Sequence, residues 1–108
     1  MATQKETVHF ILGKLHDRVR FTVRAMFGEY ALYADGKVVG LVCDDLLYVK
    51  IVPASTALAK LCEQGQPYPG AKQHYLVEEG QLSTIVELPA ILGAIAKAIP
   101  AKKTTRKR

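Results

Sequence analysis

Apolar side chains in the first twenty residues follow the period of a helix. They keep to one stripe of a helical surface, which is made of Val8, Ile11, Leu12, Leu15 and Val19. Thr3 followed three residues later by Glu6 has the spacing of a capping box, in which the hydroxyl and the carboxylate bond free amides of the first turn. The pattern predicts an amphipathic helix from about Thr3 to Arg18.

At Phe21 the period changes to two, which is the period of a strand. Residues 21–27 alternate as the two faces of a sheet require, and residues 30–34 predict a second strand. Gly28-Glu29 between them allows a tight reversal or a bulge. These residues therefore predict a pair of neighbouring strands.

Asp35-Gly36 is the strongest hairpin signal in the chain. Both central residues of a type I′ turn need positive φ, and Asp followed by Gly accepts that conformation. A third strand is predicted over Lys37–Cys43, whose continuous apolar run favours burial on both faces and a central position. Asp44-Asp45 predicts the next turn, and a fourth strand follows from Leu46 to Ile51.

After the fourth strand the pattern predicts a short helix and a loop. Pro53 suits the first turn of a helix, because its missing N–H would be unpaired there in any case. Ser55 or Thr56 can cap this helix, which we expect to end near Gly65. Residues 66–71 predict a rigid loop, since two prolines fix φ and a glycine supplies a turn.

The last third of the chain predicts one more strand and one more helix. Residues 73–77 alternate as a fifth strand. Residues 82–88 are open between a strand and the start of a helix, because their β-branched residues favour the first and their flanks favour the second. Pro89 opens the last helix and Pro100 ends it.

The element order α-β-β-β-β-α-β-α predicts an α+β fold, with an antiparallel sheet of about five strands and helices packed on it. The chain has 108 residues, which suits a single domain over residues 1–100. Residues 101–108 follow as a tail that we expect to be disordered.

Charge is divided unevenly between the domain and the tail. The net charge is +5, whereas residues 1–100 carry ten basic and ten acidic residues and are formally neutral. The excess therefore comes from Lys102, Lys103, Arg106, Lys107 and Arg108. Such a tail can be a solvated segment, a weak and salt-sensitive nucleic-acid contact, or a contact for another acidic partner.

No residue pattern points to catalysis, a metal or a cofactor. The chain contains no GxGxxG, GK[ST], HExxH or GxSxG motif, so we expect a protein that is not an enzyme. His9 and His16 are too far apart on a helix to form a metal pair. Cys43 and Cys62 are expected to be free, buried thiols, which fits a cytoplasmic location. No membrane span is expected, because no apolar run approaches the roughly 20 residues that a span requires.

Aromatic residues concentrate between Met26 and Tyr33. Met26, Phe27 and Tyr30, together with Tyr68 in the predicted loop, are candidate contacts for a protein partner. The alternative is that these aromatics are core residues and cross-strand pairs. A further alternative is a small-molecule binder or an unrecognised enzyme, with residues 43, 50 or 74 (Cys, Lys and His) beside a pocket.

The segment Arg24–Lys37, with its Met-Phe-Gly-x-Tyr and Asp-Gly pair, resembles the signature of the TfoX amino-terminal domain of bacterial competence regulators. The resemblance continues through Gly40–Lys50, the Tyr-Pro-Gly loop of Pro67–Lys72 and the apolar last helix, and it covers roughly residues 8–100. It implies an α+β fold, pairing as dimers and no established catalytic residues.

The resemblance also implies regulation. Full-length members of this family act with the cyclic-AMP receptor protein to promote transcription of competence genes. They carry a second, helical domain, whereas this sequence continues only into the basic tail, so we expect a stand-alone domain that has kept the fold. Direct promoter recognition is not expected, because no helix-turn-helix pattern is present.

Overall fold

The computed structural model describes residues 3–15, 20–26 and 29–99. The described residues form one six-stranded antiparallel sheet with the order β1-β2-β3-β4-β6-β5. The elements are α1 (Lys5–Lys14), β1 (Phe21–Met26), β2 (Glu29–Ala34), β3 (Lys37–Cys43), β4 (Leu46–Lys50), a 3₁₀ helix (Pro53–Lys60), β5 (Glu63–Gly65), β6 (His74–Val77), α2 (Gln81–Thr84) and α3 (Leu88–Ala98). The predicted α+β class is confirmed.

Two tight turns connect the strands at the centre of the sheet. Asp35 and Gly36 have φ values of 51° and 81°, so both central residues have the positive φ that a type I′ turn requires. The β3–β4 turn repeats this geometry without glycine, with φ values of 54° at Asp44 and 63° at Asp45. The predicted hairpin is confirmed, and β3 has the predicted bounds and lies inside the sheet.

One face of the sheet, the inner face, holds the core. Val42, Leu47 and Val77 are successive cross-strand neighbours on this face, and they are buried together with Leu32 of β2. The helices, together with Leu15 directly after α1, supply the second half of this core; the helical residues include Ile11, Leu58, Leu82, Leu88, Ile91, Leu92 and Ile95. Alternation along the strands therefore assigns one face of the sheet to the helices.

The opposite face, called the outer face here, is also mainly apolar. Ala31, Leu41, Tyr48 and Leu76 are successive cross-strand neighbours on it. Within the described part of the chain, none of these four belongs to the core that the helices share. Leu41 and Leu76 are only partly buried. The sheet thus has one face packed by helices and one apolar face that the described helices do not share.

Gly40 allows β3 and β4 to approach each other closely. A Cβ atom at this position would overlap the backbone carbonyl oxygen of Tyr48. Gly40 also lies beside an irregularity in the β2–β3 ladder, where the register shifts between Leu32 and Tyr33. The apolar run of β3 therefore needs a residue without a side chain at its centre.

Capping of α1 differs from the prediction. The N-cap residue is Gln4, whose amide donates to Asp45 Oδ1 over 2.8 Å, and the Thr7 hydroxyl donates to the same oxygen over 2.9 Å. The Thr3 hydroxyl instead bonds Glu29 Oε1 and lies 3.2 Å from the carbonyl oxygen of Val42. The predicted capping box is therefore wrong, because long-range contacts take the hydroxyl.

Element bounds also differ in the second half of the chain. The predicted second helix is a 3₁₀ helix that ends at Lys60, and β5 occupies residues 63–65, where we predicted the end of that helix. The ambiguous segment 82–88 belongs to the one-turn helix α2, a short connection and the start of α3. The first helix ends at Lys14 and Leu15 after it is extended, so the predicted helix to about Arg18 is too long. The predicted stop at Pro100 and the tail lie outside the described residues.

Candidate partner-binding surfaces

The four candidate partner contacts do not form one surface. Met26 ends β1 on the outer face, whereas Tyr30 lies on the inner face and packs against the core. Tyr68 is 50% exposed in the loop after β5. Phe27 and the five basic tail residues lie outside the described residues. Strand alternation therefore separates Met26 from Tyr30, and Tyr68 belongs to a different part of the molecule.

The loop around Tyr68 is held by its own backbone. Pro69 and Gly70 are the central residues of a turn in which the Ala71 amide donates to the carbonyl oxygen of Tyr68 over 3.0 Å. Gly70 has a φ of 89°, which such a turn requires at this position. Gln66 Nε2 donates to the carbonyl oxygen of Ala71 over 2.7 Å and closes the loop. The ring of Tyr68 is thus presented on a fixed segment.

The outer face carries partly buried apolar side chains beside charged ones. Tyr33, Val38 and Leu41 are partly buried on β2 and β3. The Arg24 guanidinium lies 6.0 Å from the centre of the Tyr33 ring and borders this patch on β1. A patch of this kind, apolar at the centre and charged at the rim, resembles a protein contact surface.

Cys43 lies on the outer face as a buried thiol. It is 1% exposed. Burial, together with the nearby carboxylates of Glu29 and Asp44, raises the pKa of the Cys43 thiol to about 11. Burial also raises the pKa of the half-buried Cys62 thiol. Both cysteines are free, and a raised pKa keeps them protonated and weakly nucleophilic near neutral pH.

The small-molecule alternative placed Cys43, His74 or Lys50 beside a pocket. By the strand register all three lie on the outer face. Neither the groove beside α1 nor the cleft beside the β2–β3 turn, both described below, is lined by any of them. In the described part of the chain, no three His, Cys, Asp or Glu side chains converge as a metal site would require. The geometry gives this alternative no support.

A groove of about 380 Å³ lies on the inner side of the molecule, where α1, β4, β6 and α2 meet. We call it the α1–α2 groove. Its apolar lining is Phe10, Ile11, Leu47, Val77 and Leu82, and its polar lining is Glu6, Thr7, Asp45 and Glu79. No pattern in the sequence predicts this groove, because its lining comes from three separate stretches of the chain, residues 6–11, 45–47 and 77–82.

A second cleft of about 370 Å³ lies at the opposite end of β3 and is lined by Arg20, Thr22, Asp35 and Gly36. The Arg20 amide donates to Asp35 Oδ1 over 3.0 Å, and the Asp35 amide donates to the carbonyl oxygen of Arg20 over 2.8 Å. These bonds fasten the hairpin turn, so Asp35 has a structural role.

None of the described helices has the length and apolar character that crossing a membrane would need.

These observations define a small α+β domain whose sheet has an apolar outer face and, on its helical side, a groove with an apolar base and an acidic rim. The model of the TfoX N-terminal domain matches residues 14–89 of this chain. A protein of Spirochaeta aurantia, called "uncharacterized 12.7 kDa protein in trpE 5′ region", is 38% identical over 106 residues, which cover 95% of this chain and 89% of that relative. The chain belongs to the TfoX N-terminal domain family.

Proposed function

We propose that this chain is a non-enzymatic regulatory module that acts by binding a protein partner through the outer face of its sheet. The observation that carries the proposal is the apolar patch of Tyr33, Val38 and Leu41 on that face, which is only partly buried and does not belong to the core that the described helices share. Membership of the TfoX N-terminal domain family supports a regulatory role. We propose a transcription factor as the partner class and the cytoplasm as the location.

The test compares recovery of a partner by tagged wild-type chain and by a variant of the outer face. Val38→Thr with Leu41→Thr makes the patch polar, while threonine keeps the β-propensity of both positions. A partner that is recovered with the wild type should be lost with this variant. Circular dichroism establishes that the variant is folded.

The matched control changes an apolar residue elsewhere. Val86 is 79% exposed between α2 and α3, so Val86→Thr should leave recovery unchanged. Binding then has to be reproduced with the two purified proteins. Equal recovery by all three chains, or no partner with the wild type, would argue against the outer face. Self-association, which the family resemblance implies, is measured separately by light scattering and would make a second copy the occupant.

The second candidate function is nucleic-acid binding through the basic tail. The observation that favours it is the position of the charge, because residues 1–100 are formally neutral and the whole excess of +5 follows them. Deleting residues 101–108 should abolish binding to a DNA duplex, and wild-type affinity should fall steeply as salt increases. Unchanged binding by the shortened chain would exclude this role for the tail.

A further inference from the structure

We propose that the α1–α2 groove binds a peptide segment in which Arg or Lys residues flank a large apolar side chain. The groove lies on the helical side of the sheet and is separate from the outer face. Its volume of about 380 Å³ falls within the usual range for binding pockets, roughly 300–1,000 Å³. This proposal does not depend on the outer face as a contact surface.

The apolar side of the groove calls for an apolar side chain in the ligand. Ile11, Leu47 and Val77 are buried at its base and belong to the core of the domain. Phe10 stands at the wall of the groove and is 40% exposed. A ligand side chain placed against Phe10 would remove this ring from water.

The rim of the groove calls for positive charge. Glu6 of α1, Asp45 of the β3–β4 turn and Glu79 before α2 line it from three parts of the fold. Asp45 is held in place through Oδ1, which accepts bonds from the Gln4 amide and the Thr7 hydroxyl. Its second oxygen, Oδ2, makes no bond to the described residues. Arginine suits such a rim because its planar fork can bond two carboxylate oxygens at once.

One positive group of the chain lies near the wall. Lys14 Nζ is 5.3 Å from the centre of the Phe10 ring and repels a second cation there. The attraction for a cationic ligand therefore comes mainly from the three acidic residues of the rim, Glu6, Asp45 and Glu79. These carboxylates disfavour nucleic acid as an occupant. The chain's own basic tail has five cations but no apolar side chain larger than Ala or Pro after residue 99. The positive charges of the tail match the acidic rim, but the tail has no large apolar side chain to fill the base of the groove.

The experiment titrates the full chain with three fluorescent synthetic peptides. The first has the sequence Gly-Lys-Arg-Leu-Arg-Lys-Gly, the second replaces Leu with Gly, and the third replaces each Lys and Arg with Gln. We expect the first peptide to bind at least tenfold tighter than either of the others. Equal binding of the first and second peptides, or no binding of the first, would overturn the proposal.

Two charge-matched double variants locate the site. Asp45→Asn with Glu79→Gln removes two of the three acidic charges at the rim and leaves that of Glu6, and the Asn side-chain oxygen can still accept the bonds that cap α1. This variant should bind the first peptide at least fivefold more weakly. Glu78→Gln with Glu87→Gln removes the same charge from exposed residues that do not line the groove and should bind within about twofold of the wild type. Equal weakening in both variants would show general electrostatic attraction and overturn the site.

Deletion of residues 101–108 distinguishes the remaining occupant. If the groove takes an external segment, the shortened chain should bind the first peptide within about threefold of the full chain. The shortened chain could instead bind the first peptide at least tenfold more tightly than the full chain does, and bind a peptide of residues 101–108 as tightly as the first peptide. That result would identify the tail as the occupant and overturn the proposed ligand.

Discussion

Aspartate occupies positions of positive φ in the two turns that connect β2 to β3 and β3 to β4. Asp35, Asp44 and Asp45 are the described non-glycine residues in this region. Asp tolerates it better than most residues because its short side chain can bond nearby backbone. Asp35 Oδ1 accepts from the Arg20 amide, and Asp45 Oδ1 accepts from the Gln4 amide. At this scale, the carboxylates of Asp35 and Asp45 also fasten a neighbouring segment to their turns.

Gly36 tests the conformation of the first turn. Its φ is 81° and its missing Cβ would meet no atom within 4 Å, so any cost of a side chain comes from the backbone. Gly36→Val should lower the free energy of unfolding by more than about 1 kcal/mol, because a β-branched residue resists positive φ. Gly36→Asn should cost less, since Asn tolerates this conformation. Urea denaturation measures both, and equal costs would contradict the turn geometry.

The raised pKa of the Cys43 thiol predicts that the folded protein loses stability in alkaline solution. The pKa of its thiol rises from the ordinary 9.0 to about 11 in the folded protein, so above pH 9 the unfolded chain loses a proton that the folded chain retains. This contribution is complete below pH 9 and is lost as the pH rises through about 11. Cys43→Ala should show a smaller decline in unfolding free energy between pH 8 and 10.5 than the wild type does.

Cys62 and Tyr48 provide the comparison, because burial raises the pKa of both. Because Cys62 and Tyr48 also titrate in this range, the unfolding free energy of Cys43→Ala should still fall between pH 8 and 10.5, but by less than that of the wild type. The pH dependence, rather than stability at a single pH, is the measured quantity, since any substitution of a buried residue has its own constant cost. The same pH dependence in Cys43→Ala and the wild type would show that Cys43 does not contribute.

At the scale of the elements, α1 is capped by a residue more than forty positions along the chain. Asp45 Oδ1 accepts from the amide of Gln4, the N-cap residue, and from the Thr7 hydroxyl in the first turn. A carboxylate at a helix N-terminus is also favoured by the helix dipole. The β3–β4 turn and the start of α1 should therefore gain their structure together.

Substitutions at Asp45 test this shared cap. Asp45→Ala removes the acceptor and places a less tolerant residue at a φ of 63°, so we expect the free energy of unfolding to fall by about 2 kcal/mol. Asp45→Asn keeps an oxygen acceptor and tolerates positive φ, and should cost less than about 0.5 kcal/mol. Denaturation in urea and hydrogen exchange of the α1 amides measure the two effects. Comparable losses in both variants would mean that charge, rather than capping, is the main contribution.

Elements with strong local signals were predicted well from the sequence. The conformations of the Asp-Gly turn and of the apolar run of β3 are determined by residues that are neighbours in the sequence, and both occur as predicted. β5 was missed because Glu63–Gly65 is a short polar segment whose strand conformation comes from pairing with β6. Thr3 was assigned to a local cap because its partner Glu29 is distant in the sequence. Local patterns predict elements, whereas contacts between distant segments require the fold.

The candidate surfaces show the same limit. Strand alternation placed Met26 and Tyr30 on opposite faces once the register was known, although their spacing in the sequence is equally consistent with one aromatic contact surface across a reversal. The α1–α2 groove could not be predicted, because its acidic residues are individually ordinary exposed positions. Only the packing of α1 and α2 beside the β3–β4 turn brings them together.

At the scale of the whole molecule, polar contacts join the helices to the sheet at both ends of β3. At its start, Lys37 Nζ donates to the carbonyl oxygens of Ala96 and Ile99 at the end of α3, over 3.1 and 2.8 Å. At its end, the Thr3 hydroxyl bonds Glu29 and accepts from the Asp45 amide. The seven residues of β3 separate these two clusters by about 20 Å at roughly 3.3 Å per residue.

Double-mutant cycles test whether these clusters act independently. Thr3→Val and Lys37→Met should each lower the free energy of unfolding by about 1–3 kcal/mol, because each removes buried or partly buried hydrogen bonds. Their effects should add within about 0.5 kcal/mol, since the two sites are distant and share no partner. Thr3→Val and Glu29→Ala remove the same contact, so their combined effect should fall short of the sum by at least about 0.5 kcal/mol. Additivity in the second pair would refute the Thr3–Glu29 bond, whereas strong coupling in the first would show that β3 transmits strain between its ends.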